Sequence, residues 1–563
     1  MPGLDSQRLR QIYEPKLLTV LRGGYRAADL RRDLVAGLTV AIVALPLAMA
    51  LAVASGTTPE KGLHTAIVAG FLISFLGGSR VQIGGPTAAF IPVVFTVIEK
   101  FGYGGLILCT LLAGCLLIGA GLLRLGMLMK YIPQPVVTGF TAGIAVSIFS
   151  SQIKDLFGLP MGAVPAEFFE RWRAYAAHAD GFQPITATVA IASLVLILAI
   201  RRWRPTWPGF LITVVLAAAL TSLLTLPIDT IATRFGGIPS ALPDFAIPHI
   251  PFERTVEMFP SAFTIAFLAG LESLLSAVVA DGMTGGRHRS NGELVAQGIA
   301  NIGSALFGAL PATGAIARTA VNIRSGGRSP VAGIAHAVFL LLFVLIAAPL
   351  MGYVPLAVLA AVLLVVAWQM SDLESFRHLL QGPIGDRAVL LITFILTVMF
   401  DLTVAIEVGL VLAAFLFMHR MSEVVELESQ VSLIEEDGDG ADGADQRAQL
   451  PPGVEAFQIS GPLFFAVANR LDGVLDRLPR PPAIFILRMR LVPLIDASGV
   501  TALSQFLSRC ERLGTRVILS GLREQPRRVL TQMQVQPDGR QLRFAEGFAQ
   551  AIDWARADVS PQQ

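Results

Sequence analysis

Residues 261–330 read SAFTIAFLAGLESLLSAVVADGMTGGRHRSNGELVAQGIANIGSALFGALPATGAIARTAVNIRSGGRSP, and this stretch decides the fold of the chain. Its first twenty residues are long enough to cross a bilayer as an apolar helix. Glu272 lies in the middle of that helix, and Arg318 lies in a later segment that Gly and Pro interrupt. Charged groups at membrane depth cost about 3 kcal/mol each, so they normally face a cavity or a partner. A broken apolar segment beside them is typical of the substrate site of a transporter, which makes solute transport the working hypothesis.

The composition is that of a polytopic membrane protein. The 563 residues are 54% hydrophobic and 15% charged, and the mean hydropathy is +0.65; a soluble domain would carry nearer a quarter charged residues. The formal net charge of +2 gives no indication of a nucleic-acid partner. Three cysteines show no metal-ligand spacing, so we expect no metal and interpret them as small hydrophobic side chains.

The hydropathy pattern predicts about fourteen transmembrane segments. Basic residues recur in every second loop, as in Arg201–Arg204 and Arg287–Arg289, which indicates an even number of crossings with both termini in the cytoplasm. Each half has a short segment broken by Gly and Pro in third place, and seven segments per half predict inverted repeats. The predicted segments are 34–56, 63–76, 77–100, 104–123, 133–153, 184–200, 209–226, 258–280, 293–310, 314–324, 331–350, 353–369, 387–401 and 403–419.

Four regions follow from these changes in composition. Residues 1–32 form a polar cytoplasmic segment without the apolar core of a signal peptide, and residues 33–421 form the transmembrane domain. Residues 422–452 are acidic and Gly-rich, which predicts a flexible linker. Residues 453–557 alternate β-rich runs with helical patterns, which predicts a small cytoplasmic α/β domain.

The motifs resemble those of the SulP family of anion transporters over nearly the whole chain. The α/β tail resembles the STAS domain of that family through Asp496-Ala497-Ser498-Gly499. So many motifs in one register make the resemblance specific. The motifs of the transmembrane part are Ala44-Leu45-Pro46, Gly78-Ser79-Arg80, Gly85-Pro86-Thr87-Ala88-Ala89-Phe90, Gly139-Phe140-Thr141-Ala142-Gly143, Glu272-Ser273, Asp281-Gly282-Met283-Thr284-Gly285, Asn291-Gly292-Glu293-Leu294, Gln297-Gly298, Asn301, Gly308, Pro311, Gly314, Arg318 and Asn322.

The resemblance implies a fold and an assembly. We expect two intertwined repeats of seven segments, split into a core and a gate domain that move against each other to alternate access. Members are commonly homodimers, so we expect a homodimer in the inner membrane, with the STAS domain free to bind a cytoplasmic partner. The chain departs from the family pattern at His64, Gly292 and Ala309, the last of which lies on the approach to the tenth segment.

The same resemblance places the anion between the amino-terminal ends of the third and tenth segments. Such ends offer unpaired N–H groups and positive dipole charge to an anion. Small residues there would also let the backbone come close, although small residues pack helices in any bundle. The predicted substrate-binding residues are Pro86, Thr87, Ala88, Thr313, Gly314, Ala315 and Arg318.

Glu272 is the predicted ion-coupling carboxylate. Burial disfavours the charged form of a carboxyl group, which would link protonation to anion transport. Family members with Asp at this position resemble sodium-coupled transporters with a hydroxyl one turn later as co-ligand, and that hydroxyl here is Ser276. Glu favours protons over sodium, so we expect no cofactor beyond co-transported H+ or Na+. A structural acid paired to a neighbouring helix is the alternative.

Two further polar features have less specific interpretations. Ser147, Ser150, Ser151 and Gln152 form a polar patch that favours hydrogen bonding between helices over substrate contact. Ser498 matches the residue that is phosphorylated in STAS proteins that antagonise anti-sigma factors. A role as helix N-cap would also explain it and is the interpretation that we favour.

The sequence therefore predicts a secondary active transporter of small anions rather than an enzyme, since no motif of an intramembrane hydrolase is present. Sulfate, bicarbonate and C4-dicarboxylates such as fumarate or succinate all suit a site of dipoles and one Arg, and the sequence does not choose among them. An uncoupled exchanger or a channel-like member of the same fold is the alternative. A receptor that binds anions without moving them is a third class.

Overall fold

A computed structural model describes residues 12–126, 132–162, 164–205, 207–241, 245, 254–400, 402–423, 426–428, 450–463, 475 and 480–559. The chain divides into two compact units, Met1–Ala413 and Ala414–Gln563. We describe each unit by itself.

The first half of the membrane unit is a series of apolar helices. Pro59 and Pro184 begin their helices, where the fixed φ of proline suits the first turn and its missing N–H costs nothing. A 3-10 turn, Ala88–Phe90, leads into the fourth helix. The helices are α1 Lys16–Arg22, α2 Ala27–Ala54, α3 Pro59–Leu76, α4 Ile91–Leu122, α5 Gln134–Ser151, α6 Ile153–Phe157, α7 Phe168–Ala177, α8 Pro184–Trp203, α9 Gly209–Leu223 and α10 Ile231–Phe235.

The second half repeats the layout. Its helices are α11 Thr255–Thr284, α12 Ser290–Leu306, α13 Ile316–Arg324, α14 Pro330–Met351, α15 Leu356–Met370, α16 Leu373–Leu380, α17 Ile384–Met399 and α18 Leu402–Glu423. Two short strands, β1 Gly84–Gly85 and β2 Thr313–Gly314, lie before α4 and α13 respectively.

The prediction of fourteen segments is confirmed. The run Ala88–Leu122 holds two of them, because Gly102 has a non-helical conformation at φ 70° that divides it. Among the described residues, seven helices are long and apolar enough to cross a bilayer by themselves, and the others are shorter or broken. Helix α2 begins at Ala27, six residues before the predicted boundary of the transmembrane domain.

The helix pairs show that the two halves are repeats. Helix α2 packs against α14, and α11, its counterpart in the second half, packs against α4. In the same way α17 packs against α5, and α15 packs against α8. If the two halves are exchanged, the pair of α2 and α14 becomes the pair of α11 and α4, and the pair of α5 and α17 becomes the pair of α15 and α8. Helices α2–α4 and α11–α14 form the predicted core, while α5, α8, α9, α15 and α17 form the second group.

Glycine allows a close helix contact between α4 and α12 in the core. A Cβ atom on Gly298 of α12 would lie 2.5 Å from the carbonyl oxygen of Gly114 on α4, and one on Gly114 would lie 2.7 Å from the oxygen of Gly298. Association of helices in a membrane depends on such close packing, because lipid gives no hydrophobic force between them.

The second unit is an α/β domain with a five-stranded sheet. Its strands are β3 Glu426–Glu428, β4 Val454–Ser460, β5 Ile484–Leu491, β6 Arg516–Ser520 and β7 Leu542–Ala545, in that spatial order. Only β3 is antiparallel to its neighbour. Alternate residues of β5 enter two hydrophobic clusters, one with α19 Ala497–Arg512 and α20 Glu524–Gln532, the other with α21 Phe548–Val559.

Two findings in this domain differ from the sequence analysis. Strand β3 lies inside the predicted linker, 422–452, and pairs with β4; residues 429–449, which hold its acidic run, lie outside the described residues. The N-cap interpretation of Ser498 is wrong. Asp496 caps α19, accepting a hydrogen bond from the Gly499 N–H at 2.7 Å, and Ser498 is exposed in the first turn.

The glycine contact gives a stability prediction. Gly298→Ala should lower the thermal stability of the detergent-solubilised protein, because the methyl group forces α4 and α12 apart at a cost of about 1–3 kcal/mol. The control is Gly119→Ala on α4, whose methyl group would meet no atom within 4 Å. Equal melting temperatures for the two variants would show that the helices do not cross at this contact.

Candidate functional site

A two-residue antiparallel ladder joins the broken segments of the two halves. Gly84 pairs with Gly314 and Gly85 pairs with Thr313. The ladder continues into a hydrogen bond from the Ala315 N–H to the carbonyl oxygen of Ile83 at 2.8 Å. Extended backbone at membrane depth must satisfy its polar groups within the protein, and here each segment satisfies those of the other.

Both short helices start at this ladder. The 3-10 turn begins at Ala88, three residues after Gly85, and α13 begins at Ile316, two residues after Gly314. Because the strands are antiparallel, the two segments leave the ladder in opposite directions. Their first N–H groups have no acceptor within their own helices, so positive ends of two helix dipoles lie at one place. Ile316, the first residue of α13, is 41% exposed.

Arg318 adds a full positive charge beside these helix ends. Its side chain is 2% exposed, and Nη2 donates to the carbonyl oxygen of Pro86. Nε and Nη1 are buried without a hydrogen-bond partner among the residues that the structure describes. No described carboxylate forms a salt bridge with the guanidinium, although Glu272 lies near enough to attract it electrostatically.

Glu272 is half-buried on α11 and faces the start of the third segment. Its Oε2 accepts a hydrogen bond from Oγ1 of Thr87 at 2.9 Å. The hydroxyl of Ser276, one turn later, is fully buried and lies 3.2 Å from Oγ1 of Thr319 on α13. The structure therefore ties the acid to the third segment and Ser276 to the tenth.

A second buried acid, Glu293, fixes the elements that surround the site. Oε2 of Glu293 accepts hydrogen bonds from the Gly78 and Ser79 N–H groups at 2.8 and 3.2 Å. Its Oε1 accepts from Ser273 Oγ at 3.1 Å and from Gln297 Nε2 at 2.9 Å. Four donors satisfy this carboxylate without a cation, which makes it a structural acid that joins α11, α12 and the loop before β1.

Amide side chains fix the approaches to the two strands. Gln82 donates to Ser273 Oγ at 2.8 Å, beside Glu272. Asn301 donates to the Ala312 carbonyl oxygen and accepts from the Ala312 N–H, both at 2.9 Å, as a backbone strand would. Gln82 thus ties the segment before β1 to α11, and Asn301 of α12 ties the segment before β2 to α12.

The structure brings most of the predicted site residues together. Pro86, Thr87, Glu272 and Arg318 are linked by hydrogen bonds in two pairs. Ala88 and Ala315 flank the two helix starts, and Gly314 is part of the ladder. Thr313 also lies in the ladder, but its hydroxyl donates to the carbonyl oxygen of Ala269 at 2.7 Å and serves the scaffold.

Sequence reasoning missed the supporting residues. The sequence analysis assigns no role to Gln82 or Thr319, and it includes Glu293 and Asn301 only as parts of motifs. The available signal was a polar side chain inside an apolar segment, which normally has a partner in the protein. Ser498 lies in the other compact unit.

Two broken segments that meet between inverted halves define the fold of a secondary transporter. A model described as the sulfate permease family matches residues 30–393, and a STAS domain model matches residues 446–544. The chain belongs to the sulfate permease family, SulP, and the expected resemblance is confirmed.

Curated relatives carry the names of transporters, not enzymes. A putative sulfate transporter of Bacillus subtilis is 40% identical over 90% of this chain and 94% of its own length. The bicarbonate transporter BicA of Synechocystis is 30% identical over 90% of this chain and 91% of its own length.

Solved structures have the same fold. A murine solute carrier 26 family anion transporter in the inward-facing state matches with a TM-score of 0.86, covering 99% of this chain and 96% of its own; at 18% identity it shows the fold alone. The transmembrane domain of a cyanobacterial BicA matches at 29% identity with a TM-score of 0.62, covering 69% of this chain and 98% of its own.

The ladder gives a prediction for the site. Gly85 has φ +146°, and a Cβ atom there would overlap Nη1 of Arg318. Gly85→Ala should displace the guanidinium and strongly reduce uptake of the anion that the wild type carries, at equal membrane levels. Gly282→Ala on α11, whose Cβ would meet nothing within 4 Å, is the control. Wild-type uptake by Gly85→Ala would mean that the position of Arg318 does not matter for transport.

Proposed function

We propose that this protein is a secondary active transporter of small anions that works by alternating access. The anion would bind where the 3-10 turn at Ala88 and helix α13 begin. The observation that carries the proposal is the convergence at one place of two helix amino-terminal ends and a buried guanidinium, Arg318, that forms no salt bridge with a described carboxylate. These three sources of positive potential suit a ligand of one or two negative charges.

The substrate class that we propose is sulfate, bicarbonate or a C4-dicarboxylate such as succinate or fumarate. Helix ends and a guanidinium recognise any small oxyanion or carboxylate. The names of the two curated relatives support sulfate and bicarbonate. The C4-dicarboxylates rest on ligand chemistry alone.

Coupling to protons follows from the environment of Glu272. An ionised Glu272 would repel an anion at the neighbouring helix end, and a protonated one would not. Proton and anion would therefore each favour binding of the other, and this linkage is reciprocal. The hydroxyl of Ser276 lies against Thr319, which leaves it less suited to be a sodium ligand beside Glu272.

The assembly and orientation belong to the same proposal. The Arg-rich loops favour a cytoplasmic location of both termini, in the inner membrane of a cell. We infer a homodimer from the habit of the family, with the STAS domain in the cytoplasm and open to a soluble partner. Exposed Ser498, at the start of α19, is the residue that we propose for its regulation.

Counterflow in proteoliposomes tests the function. Vesicles loaded with unlabelled sulfate, bicarbonate or succinate should accumulate the same labelled anion transiently, as carriers do. An imposed proton gradient should then drive concentrative uptake. Flux without counterflow and without saturation would instead assign a channel, and counterflow that ignores ion gradients would assign an uncoupled exchanger.

Glu272→Gln should abolish gradient-driven accumulation while counterflow persists, because the amide imitates a permanently protonated acid. The pH dependence of the apparent anion affinity should disappear with it. The matched control is Glu257→Gln on the same helix, whose carboxylate pairs with Arg254 at the surface. Ser276→Ala should do more damage than Glu272→Gln only if sodium is the coupling ion. Unchanged concentrative uptake by Glu272→Gln would end the assignment.

Arg318→Ala should weaken binding of sulfate more than binding of bicarbonate. The lost Coulomb energy scales with ligand charge, so the loss of binding free energy is about twofold larger for the dianion. Arg318→Lys should recover part of it, as a point charge without the planar fork. The comparison variant is Arg324→Ala, an exposed residue of the same helix. Equal losses for both anions would make Arg318 a structural residue.

A further inference from the structure

A pocket of about 450 Å3 lies between α4, α5 and the connections that follow α5. Its lining includes Ile91, Ser147, Ser151 and Gln152, the last three being members of the polar patch noted in the sequence. Ile91 directly follows the 3-10 turn Ala88–Phe90, in which each residue advances about 2 Å. The pocket, called the vestibule below, therefore reaches to within about one helical turn of the anion site.

Arg171 of α7 is the unusual residue of the vestibule wall. It is 6% exposed, and its guanidinium donates only to carbonyl oxygens: Pro165 at 3.0 Å, Ala166 at 2.8 Å and Ser147 at 3.3 Å. Within the described part of the chain it forms no ion pair. Tyr175, one turn later, donates to the carbonyl oxygen of Ser150 at 2.9 Å, so α7 is held against the wall by two side chains.

The other charges of the vestibule do not cancel this cation. Arg234 binds Asp155 at 2.6 Å, which neutralises that carboxylate. Lys154 donates to the carbonyl oxygen of Gly162 at 2.6 Å and brings a further positive charge. Glu99 is the remaining acid of the lining, and its single negative charge is outnumbered by the two positive charges of Arg171 and Lys154. Carbonyl oxygens satisfy the hydrogen-bond donors of this buried cation but carry no net charge, so an anion in the vestibule would be attracted to it.

We propose that the vestibule is a second anion-binding site, centred on Arg171, that holds the same class of small oxyanion or carboxylate before it reaches the helix ends. This inference rests on the proposed function for the identity of the ligand. The serine hydroxyls and Gln152 provide neutral hydrogen bonds around the charge, and a polar cleft with net positive charge concentrates anions.

The test is a thiol reporter that needs no transport. Ser147→Cys places a thiol in the vestibule, in a Cys115→Ala background because Cys115 is the exposed native cysteine. Modification rates are measured with an anionic and a cationic methanethiosulfonate, and their ratio reports the local potential. Adding Arg171→Gln should lower the anionic-to-cationic ratio by about fivefold or more. Arg173→Gln on the exposed face of α7 is the matched control and should leave the ratio unchanged.

Protection shows whether an anion occupies the vestibule. Sulfate, bicarbonate or succinate should slow modification of the reporter thiol. Arg171→Gln should raise the anion concentration that is needed to halve the modification rate. Protection should persist in Arg318→Ala, which impairs the first site. Should Arg171→Gln not reach the membrane, Lys154→Gln should still lower the ratio, while Arg171→Lys should keep it.

Three results overturn the proposal: a ratio that Arg171→Gln leaves unchanged or that Arg173→Gln lowers equally, no protection by any of the three anions, or protection that is lost with Arg318→Ala. Failure of the proposed function is separate. It would appear as absent counterflow in the wild type, whatever the reporter shows.

Discussion

The backbone pairing of Gly84–Gly85 with Thr313–Gly314 is the interaction on which the rest of the membrane unit depends. Hydrocarbon offers no hydrogen bonds, so a span can break only where another part of the protein satisfies its freed backbone groups. The two halves solve this for each other. As a consequence, two helices begin at one place, and their amino-terminal ends and Arg318 create a positive site that neither half could form alone.

The ladder needs support, and buried polar side chains provide it. Glu293 collects four donors from three elements, and Asn301 pairs with the backbone of Ala312 as a strand would. Glu272 differs from Glu293 in a way that decides their roles: it has one hydrogen-bond donor, Thr87, and remains partly accessible. A carboxylate with four donors is fixed in place by them. One with a single donor keeps acceptor positions that other groups can use.

The sequence predicted the segments, the inverted halves and most of the residues that the structure brings together at the candidate site, because charges and Gly-Pro breaks are costly inside apolar spans and are rare there unless they have a role. It did not reveal which polar residues serve the scaffold, since Gly78 and Ser79 donate to Glu293 from 215 and 214 residues away along the chain, and Gln82 donates to Ser273 from 191 residues away. The wrong interpretation of Ser498 has a local cause: Asp and Ser cap helices about equally well, and only the backbone conformation decides between Asp496 and Ser498. The contact of the polar patch with Arg171 was also not predictable, because the fold brings α7 to α5 and Arg171 then donates to the carbonyl oxygen of Ser147.

The most direct test of the central claim is a cryo-electron microscopy map of the full chain in lipid nanodiscs at saturating sulfate or bicarbonate. We expect an intact ladder at 84–85 and 313–314, with anion density within hydrogen-bonding distance of the N–H groups that begin the 3-10 turn at Ala88 and helix α13. An ordered map in which the two strands are unpaired, or in which these helix ends carry no anion while one is bound elsewhere, would contradict it.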